Sequence, residues 1–371
     1  MAYHPSRDDW QARTPSELGM DQSGLADAIA YHRAHESGWS RDFLMPSGRY
    51  IGVADEAKEL GDILGPVRPR EGPNGLVLRD GHIVAEWGDT SRADMTFSVA
   101  KSYLSVLAGL AVMRGLIRDI DAPVRASALD DGFDAEQNRT ITWRHLLQQT
   151  SEWQGTLWDK PDTIDHNRDV GKSELGASEK GRPRQLRPPG TLWEYNDVRV
   201  NRLSLSLLRL FRQPLPAVLK TGVMQPIGAS ETWTWQPYRN SWVEIDGVRM
   251  PSVPGGSHWG GGLWMSTRDH ARFGLLISRG GRWEGRELVA GTWIDEMRCP
   301  CALNPQYGLL WWLNTDRAQF PGAPESSYAA RGAGSNVIWI DPDHDLVVVV
   351  RWIAKASLPG FLELVVGSVA T

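Results

Sequence analysis

Apolar residues recur at helical spacing from Val99 to about Leu116, at Val99, Tyr103, Val106, Leu107, Leu110 and Val112. The stretch therefore predicts a strong helix that opens just after Ser98. Upstream, Leu76–Leu78 and Ile83–Trp87 flank Arg79-Asp80-Gly81-His82, and an Asp-Gly pair between two apolar runs predicts a tight hairpin. Residues 1 to 72 read as irregular apart from one helix over Gly24–His35. In the middle, Thr142 is placed to cap a helix over Trp143–Gln149 and Asp197 one over Val198–Phe211, followed by a third over Leu215–Met224. Past residue 245 the apolar runs shorten to strand length, at Gly260–Met265, Gly308–Leu313, Ser335–Ile340 and Leu346–Trp352. Helices are expected over Thr267–Arg279 and Leu358–Val369. Strands at both ends and helices between them predict an α/β domain, residues 1–115 with 245–371, whose N-terminal part is an irregular extension. A mostly helical insertion over 116–244 interrupts it.

Composition narrows the function classes. The 371 residues carry 40 basic and 45 acidic side chains, a net −5, which excludes a broad basic face for nucleic acid. No apolar run reaches the 18 residues of a membrane span, and the start lacks a basic stretch followed by an apolar one, so the expected location is cytoplasmic. The two cysteines, Cys299 and Cys301, are too close for an easy disulfide and have no His/Cys cluster for zinc. No metal or organic cofactor is expected. Tryptophan is abundant, 18 of 371, which suits either core packing or a wide apolar cleft, because an indole combines large area with one N–H donor.

Three segments carry chemistry. Thr96-Phe97-Ser98-Val99-Ala100-Lys101-Ser102 holds a Ser-x-x-Lys at a helix opening, and a spacing of three puts both side chains on one face. A serine hydroxyl becomes nucleophilic when a neighbour takes its proton, which a desolvated lysine does, and a helix N-terminus favours the resulting anion. The same motif alone also fits a surface serine beside an extended lysine. Trp193-Glu194-Tyr195-Asn196-Asp197 places a tyrosine just before a helix, either a general base near the lysine or a core residue. Arg331-Gly332-Ala333-Gly334-Ser335-Asn336 runs into a strand, and its small residues would let a substrate lie against the backbone. The polar stretch Ser151–Leu192 is long for a loop, and loops of that length are usually functional or mobile.

In this order the three segments resemble the serine β-lactamase-like family, which includes class C β-lactamases, DD-peptidases, esterases and oligomer-amide hydrolases. Thr142–Ser151, and Gly260–Trp264 followed by Ser266–Gly274, are similar to further stretches of that family, and the resemblance runs from about Gly75 to the end. It implies an antiparallel sheet flanked by helices with an inserted, mostly helical domain. It also implies Ser98 as the acylated nucleophile, Lys101 as its base and Tyr195 as the relay that protonates the leaving group. The oxyanion hole would come from the Ser98 N–H and one near Ser335. A coupled Lys101/Tyr195 pair then predicts a basic limb in the pH profile.

Two departures stand out. Asp197 replaces the neutral amide of the family's Tyr-x-Asn, where it either holds Lys101 protonated or only caps its helix. The strand motif Lys-Thr-Gly-Ser is matched by Gly332-Ala333-Gly334-Ser335, so its lysine is missing, with Arg331 the candidate substitute and Gly334 a candidate substrate contact. Lys220-Thr221-Gly222 spells the motif literally but falls inside a helical pattern. By the resemblance Trp153, Trp158, Trp193 and Trp259 surround the mouth of the cleft, favouring a bulky apolar substrate. The expected activity is hydrolysis of a small-molecule carboxylic ester or small amide, with neither nucleic acid nor membrane as partner. The alternatives are an amidase or peptidase on modified peptides, a β-lactamase, and a penicillin-binding-like sensor with weak turnover.

Overall fold

Asp80 and Gly81 both adopt positive φ, 51° and 83°, the backbone that a two-residue hairpin turn demands and that this pair tolerates. They close β1 (Asn74–Arg79) onto β2 (His82–Trp87). In the computed structural model, which describes residues 3–127, 130–170 and 179–369, this hairpin joins four strands from the other end of the chain. They are β3 (Trp312–Leu313), β4 (Tyr328–Gly332), β5 (Asn336–Asp341) and β6 (Leu346–Arg351). The sheet is antiparallel throughout, in the order β3-β4-β5-β6-β1-β2, with β1 registered on β6 from Asn74↔Arg351 to Arg79↔Leu346.

Every residue of β5 and β6 is buried, because both faces of the sheet are covered. On one face α1 (Gln22–Ala34) packs with α5 (Leu358–Gly367) over Val77, Trp339 and Val348. On the other, α2 (Val99–Met113) and α4 (Thr267–Ser278) meet Leu76, Ile338 and Val349. α2 is buried nearly all round, as its mostly apolar sequence favours, with Lys101, Ser102 and Ser105 buried among the apolar side chains. The long helix of the middle region is α3 (Asp197–Phe211), and it packs against α2.

Some expectations shift. Tyr328–Gly332 forms a strand that the sequence pattern did not mark, and only Trp312–Leu313 of the expected Gly308–Leu313 strand pairs in the sheet. Asn196, not Asp197, caps α3: its side chain accepts from the Arg199 N–H at 3.1 Å, which leaves Asp197 as the first helical residue. Lys220-Thr221-Gly222 lies in a helical turn with Lys220 paired to Glu231. The N-terminal extension is not loose: the Arg272 guanidinium holds the carbonyls of Pro5, Ser6 and Arg7, and Arg70 donates to the carbonyls of Ser37 and Trp39. Both cysteines are free thiols. No helix among the described residues is long and apolar enough to cross a membrane.

Candidate active site

Phe97 sits at φ 49°, a left-handed conformation that a bulky side chain adopts only when its surroundings hold it there. Here they do: its ring meets Trp39, Phe43 and Trp352 edge-on at 5.5, 5.6 and 6.4 Å. That turn delivers Ser98 to the start of α2, where its side chain caps no backbone N–H. Ser98 Oγ instead accepts from Lys101 Nζ at 2.8 Å. Lys101 is 1% exposed, and its ammonium finds two further acceptors in the Gly255 carbonyl, at 3.2 Å, and the Asp197 carboxylate.

Electrostatics decides the protonation state. Burial works against the Lys101 cation, but Asp197 outweighs it, with Tyr195 assisting, and the pKa is raised above the ordinary lysine value. Burial likewise works against the Asp197 carboxylate, and Lys101 with Arg168 outweighs it, holding the carboxyl well below the usual range. Arg168 Nη1 donates to Asp197 Oδ2 at 2.6 Å. The pair is locked in position by α3: the Asp197 N–H donates to Asp165 Oδ2 at 2.8 Å, and the Asn196 N–H to Gln149 Oε1 at 2.8 Å. Of the two sequence readings of Asp197, the structure gives the first: it holds Lys101 as an ammonium, and the cap belongs to Asn196.

Tyr195 is brought to the same place but presents its ring. Lys101 Nζ lies 4.7 Å and Arg168 Cζ 5.3 Å from the ring centroid, and among the described residues no hydrogen bond joins its hydroxyl to Ser98 or Lys101. The other side of the ring stacks on Trp312 at 5.8 Å, with Trp193 and Tyr307 edge-on to Trp312. Arg331 joins this cluster, its guanidinium 5.4 Å from the Trp312 and Phe320 rings and bonded to Gln319. Burial pulls the Arg331 pKa down to about 10, and no carboxylate pairs with it among the described residues.

The end of β4 is pressed onto the start of α2. A Cβ at Gly332 would lie 2.2 Å from the Thr96 carbonyl and 3.1 Å from the Ser98 nitrogen, so only glycine fits. The next residue, Ala333, lines the same cavity as Ser98, and neither residue's N–H is hydrogen-bonded among the described residues. Ser335 itself is buried in the turn at φ 53° and is not among the residues that line the cavity. Gly334 is likewise turned inward, a Cβ there meeting the Trp352 ring at 2.5 Å.

The four tryptophans separate. Trp153 is buried, its Nε1 donating to the Gly132 carbonyl, and Trp259 is fully buried against Tyr238 and His258, so both belong to the core rather than the mouth. Trp158 is half-buried against the core, and only Trp193 stands beside Tyr195.

The cavity on Ser98 is about 110 Å³, and much of its wall comes from residues to which sequence reasoning gave no role. Trp39, Ile51, Gly52 and Glu56 enter from the N-terminal extension, which carried no motif. Arg168 and Lys180 enter from the long loop, where unusual length was the available signal. His258 completes a cluster in which ligand atoms of Glu56, Asp165 and His258 lie within 4.8 Å of one another. The set has the donors for a metal ion, but the Lys180 ammonium sits among them, touching Glu56, His258 Nε2 at 3.1 Å and Asp165 at 3.5 Å. Burial opposes the Glu56 carboxylate, and His258 with Lys180 outweighs it, bringing its pKa to about 2.

The family model described as Beta-lactamase matches residues 75–354. No curated protein sequence matches the chain. Among solved structures, a penicillin-binding protein homologue from Caulobacter crescentus is similar over 94% of this chain and 99% of its own, with a TM-score of 0.59 at 14% identity. A beta-lactamase from Mycobacterium bovis is similar over 81% of this chain and 95% of its own, with a TM-score of 0.54 at 19% identity. A penicillin binding protein from Bacillus halodurans is similar over 79% and 94%, with a TM-score of 0.53 at 17% identity. Likenesses at these identities concern the fold.

Proposed function

The chain belongs to the beta-lactamase family, and on that premise we propose that it is a serine hydrolase that cleaves a carboxylic ester or small amide through an acyl-enzyme on Ser98. The observation that carries this reading is the Ser98–Lys101 hydrogen bond of 2.8 Å at a helix N-terminus, facing a cavity beside two uncommitted N–H groups. Ser98 Oγ adds to the substrate carbonyl, and its proton passes to Lys101 as Lys101 hands one to Asp197. The N–H groups of Ser98 and Ala333 receive the developing oxyanion, a contribution typically worth about 3 kcal/mol for one donor. The bond to the leaving group then breaks, with the proton returned to it through Lys101. Water releases the acid from Ser98 by the same route in reverse. Arg331, a half-buried cation with no carboxylate partner among the described residues, suits a negatively charged group on the substrate.

The test is intact mass after brief exposure to an activated ester or a fluorophosphonate. A single adduct on the peptide containing Ser98 is expected, and an unlabelled Ser98 peptide overturns the reading. The ion pair that keeps Lys101 cationic favours a second reading, a sensor that acylates without turning over, for which the adduct persists instead of decaying within seconds.

Asp197→Asn tests the proton route. Asp197 raises the Lys101 pKa and burial lowers it, so the amide leaves burial dominant and Lys101 neutral at lower pH. Lys101 must then be deprotonated to act. The rate is expected to climb with pH in the variant, while the parent stays level up to its raised lysine value, beyond the basic limb that the sequence suggested. At pH 7, kcat/KM is expected to fall by roughly 10². Superimposable pH profiles from 5 to 10 would count against Asp197 as the proton partner.

A further inference from the structure

Resting on the acyl-transfer reading above, we propose that the segment preceding residue 74 is the acyl-selectivity wall of this site and restricts Ser98 to short acyl groups of two or three carbons. The segment lies before the family-matched residues 75–354, yet it supplies Trp39, Ile51 and Glu56 to the cavity wall.

Volume sets the limit. Pockets for drug-sized ligands run about 300–1,000 Å³, whereas the space on Ser98 is about 110 Å³. At roughly 30 Å³ per water, it holds three or four atoms of that size. An acetyl or propionyl group fits, and a glycolyl group fits as well, finding charged neighbours for its hydroxyl. A fatty acyl chain exceeds this walled space and has to leave it for solvent.

The wall is built to stay where it is. Trp39 is edge-on to Phe97 at 5.5 Å and to Phe43 at 6.4 Å, and Arg70 holds its carbonyl. A Cβ at Gly52 would lie 2.6 Å from the His258 carbonyl, so the segment touches the opposite wall with no slack. Beyond Gly52, Glu56 is pinned by Lys180 from the long loop and by His258 Nε2 at 2.9 Å. Behind Ser98 the floor is Gly256, where a Cβ would fall 3.5 Å from Ser98 Oγ, an ordinary contact distance. Widening the cavity therefore means breaking a buried ion pair or dislodging an aromatic cluster. The chemistry is the same for every acyl length: the Ser98 Oγ–carbonyl bond forms, the bond to the leaving alcohol breaks, and water splits the ester to free the short acid. Only the fit of the acyl group changes.

The test is a series of p-nitrophenyl acetate, butyrate and octanoate. A methylene that does not fit a pocket costs roughly tenfold or more, so kcat/KM is expected to fall at least tenfold from acetate to butyrate and at least a hundredfold more to octanoate. Ile51→Ala, which shortens a half-buried side chain, is expected to raise the butyrate-to-acetate ratio about tenfold. Lys180→Ala, which frees Glu56, is expected to raise it too and serves as an independent variant if the first fails to fold. Octanoate turned over as well as acetate, with the Ser98 adduct still forming, overturns the selectivity wall alone, as does an unchanged ratio in both folded variants. A parent protein inert to all three esters, with no adduct on Ser98, overturns the acyl-transfer reading and this inference with it.

Discussion

Replacing Ser98 with alanine is expected to lower ester hydrolysis by about four orders of magnitude or more, the loss seen when a nucleophile is removed from an acyl-transfer site. The loss should fall on turnover and not on folding, and the surroundings of Ser98 say why. Its hydroxyl caps no helix N–H and has Lys101 as its partner. Without it, Lys101 keeps the Gly255 carbonyl and the Asp197 carboxylate, so no buried charge is stranded. Stability should change by no more than about 1 kcal/mol, the net worth of one hydrogen bond. Thermal unfolding and steady-state hydrolysis measured on one preparation separate the two effects. Hydrolysis within tenfold of the parent would move the nucleophile elsewhere.

The opposite signature is expected at Arg199, where folding should suffer first. Its guanidinium, 3% exposed, donates to Glu152 Oε1 at 2.6 Å, Asp162 Oδ2 at 3.1 Å and the Trp153 carbonyl at 3.0 Å. Arg184 shares the same oxygens, donating to Glu152 Oε1 and Glu194 Oε2, both at 2.6 Å. This network ties the long loop to α3, and α3 positions Tyr195 and Asp197. Arg199→Met leaves several carboxylates buried around one remaining arginine, and breaking such an ion pair typically costs about 3–5 kcal/mol. The pH dependence follows from Glu152. Burial opposes its charge, but Arg184 and Arg199 outweigh that and bring its pKa from 4.5 to about 2. A carboxyl depressed in the folded state stabilises above its unfolded pKa, and that contribution fades as pH falls from 4.5 toward 2. Urea midpoints should therefore drop across this window in the parent and drop less in the variant. Equal midpoints at pH 7 would show the network to be energetically idle.

The sequence was most legible where structure depends on near neighbours. The start of α2, the Asp80-Gly81 hairpin and the Thr142 cap appear where the pattern places them. Ser98 and Lys101 needed only helical spacing to be paired. The Asn196 cap was misassigned by one residue, since Asn and Asp cap about equally well and only the backbone angles separate them. The tryptophan excess was legible as a number but not as a location: Trp153 and Trp259 fill the core, while Trp312, on a two-residue strand, stacks on Tyr195.

By itself, then, the chain determined its local elements, the serine and lysine of one helix turn, and the departure at Asp197, because each is a relation between residues a few positions apart. Tertiary structure decided what those residues meet. It brought Asp197 onto Lys101 across nearly a hundred residues, put Ala333 rather than Ser335 in the wall of the Ser98 cavity, and placed the motif-free N-terminal extension in the same wall. Such contacts follow from how buried surfaces close on one another, and that closure leaves no periodic mark on the chain.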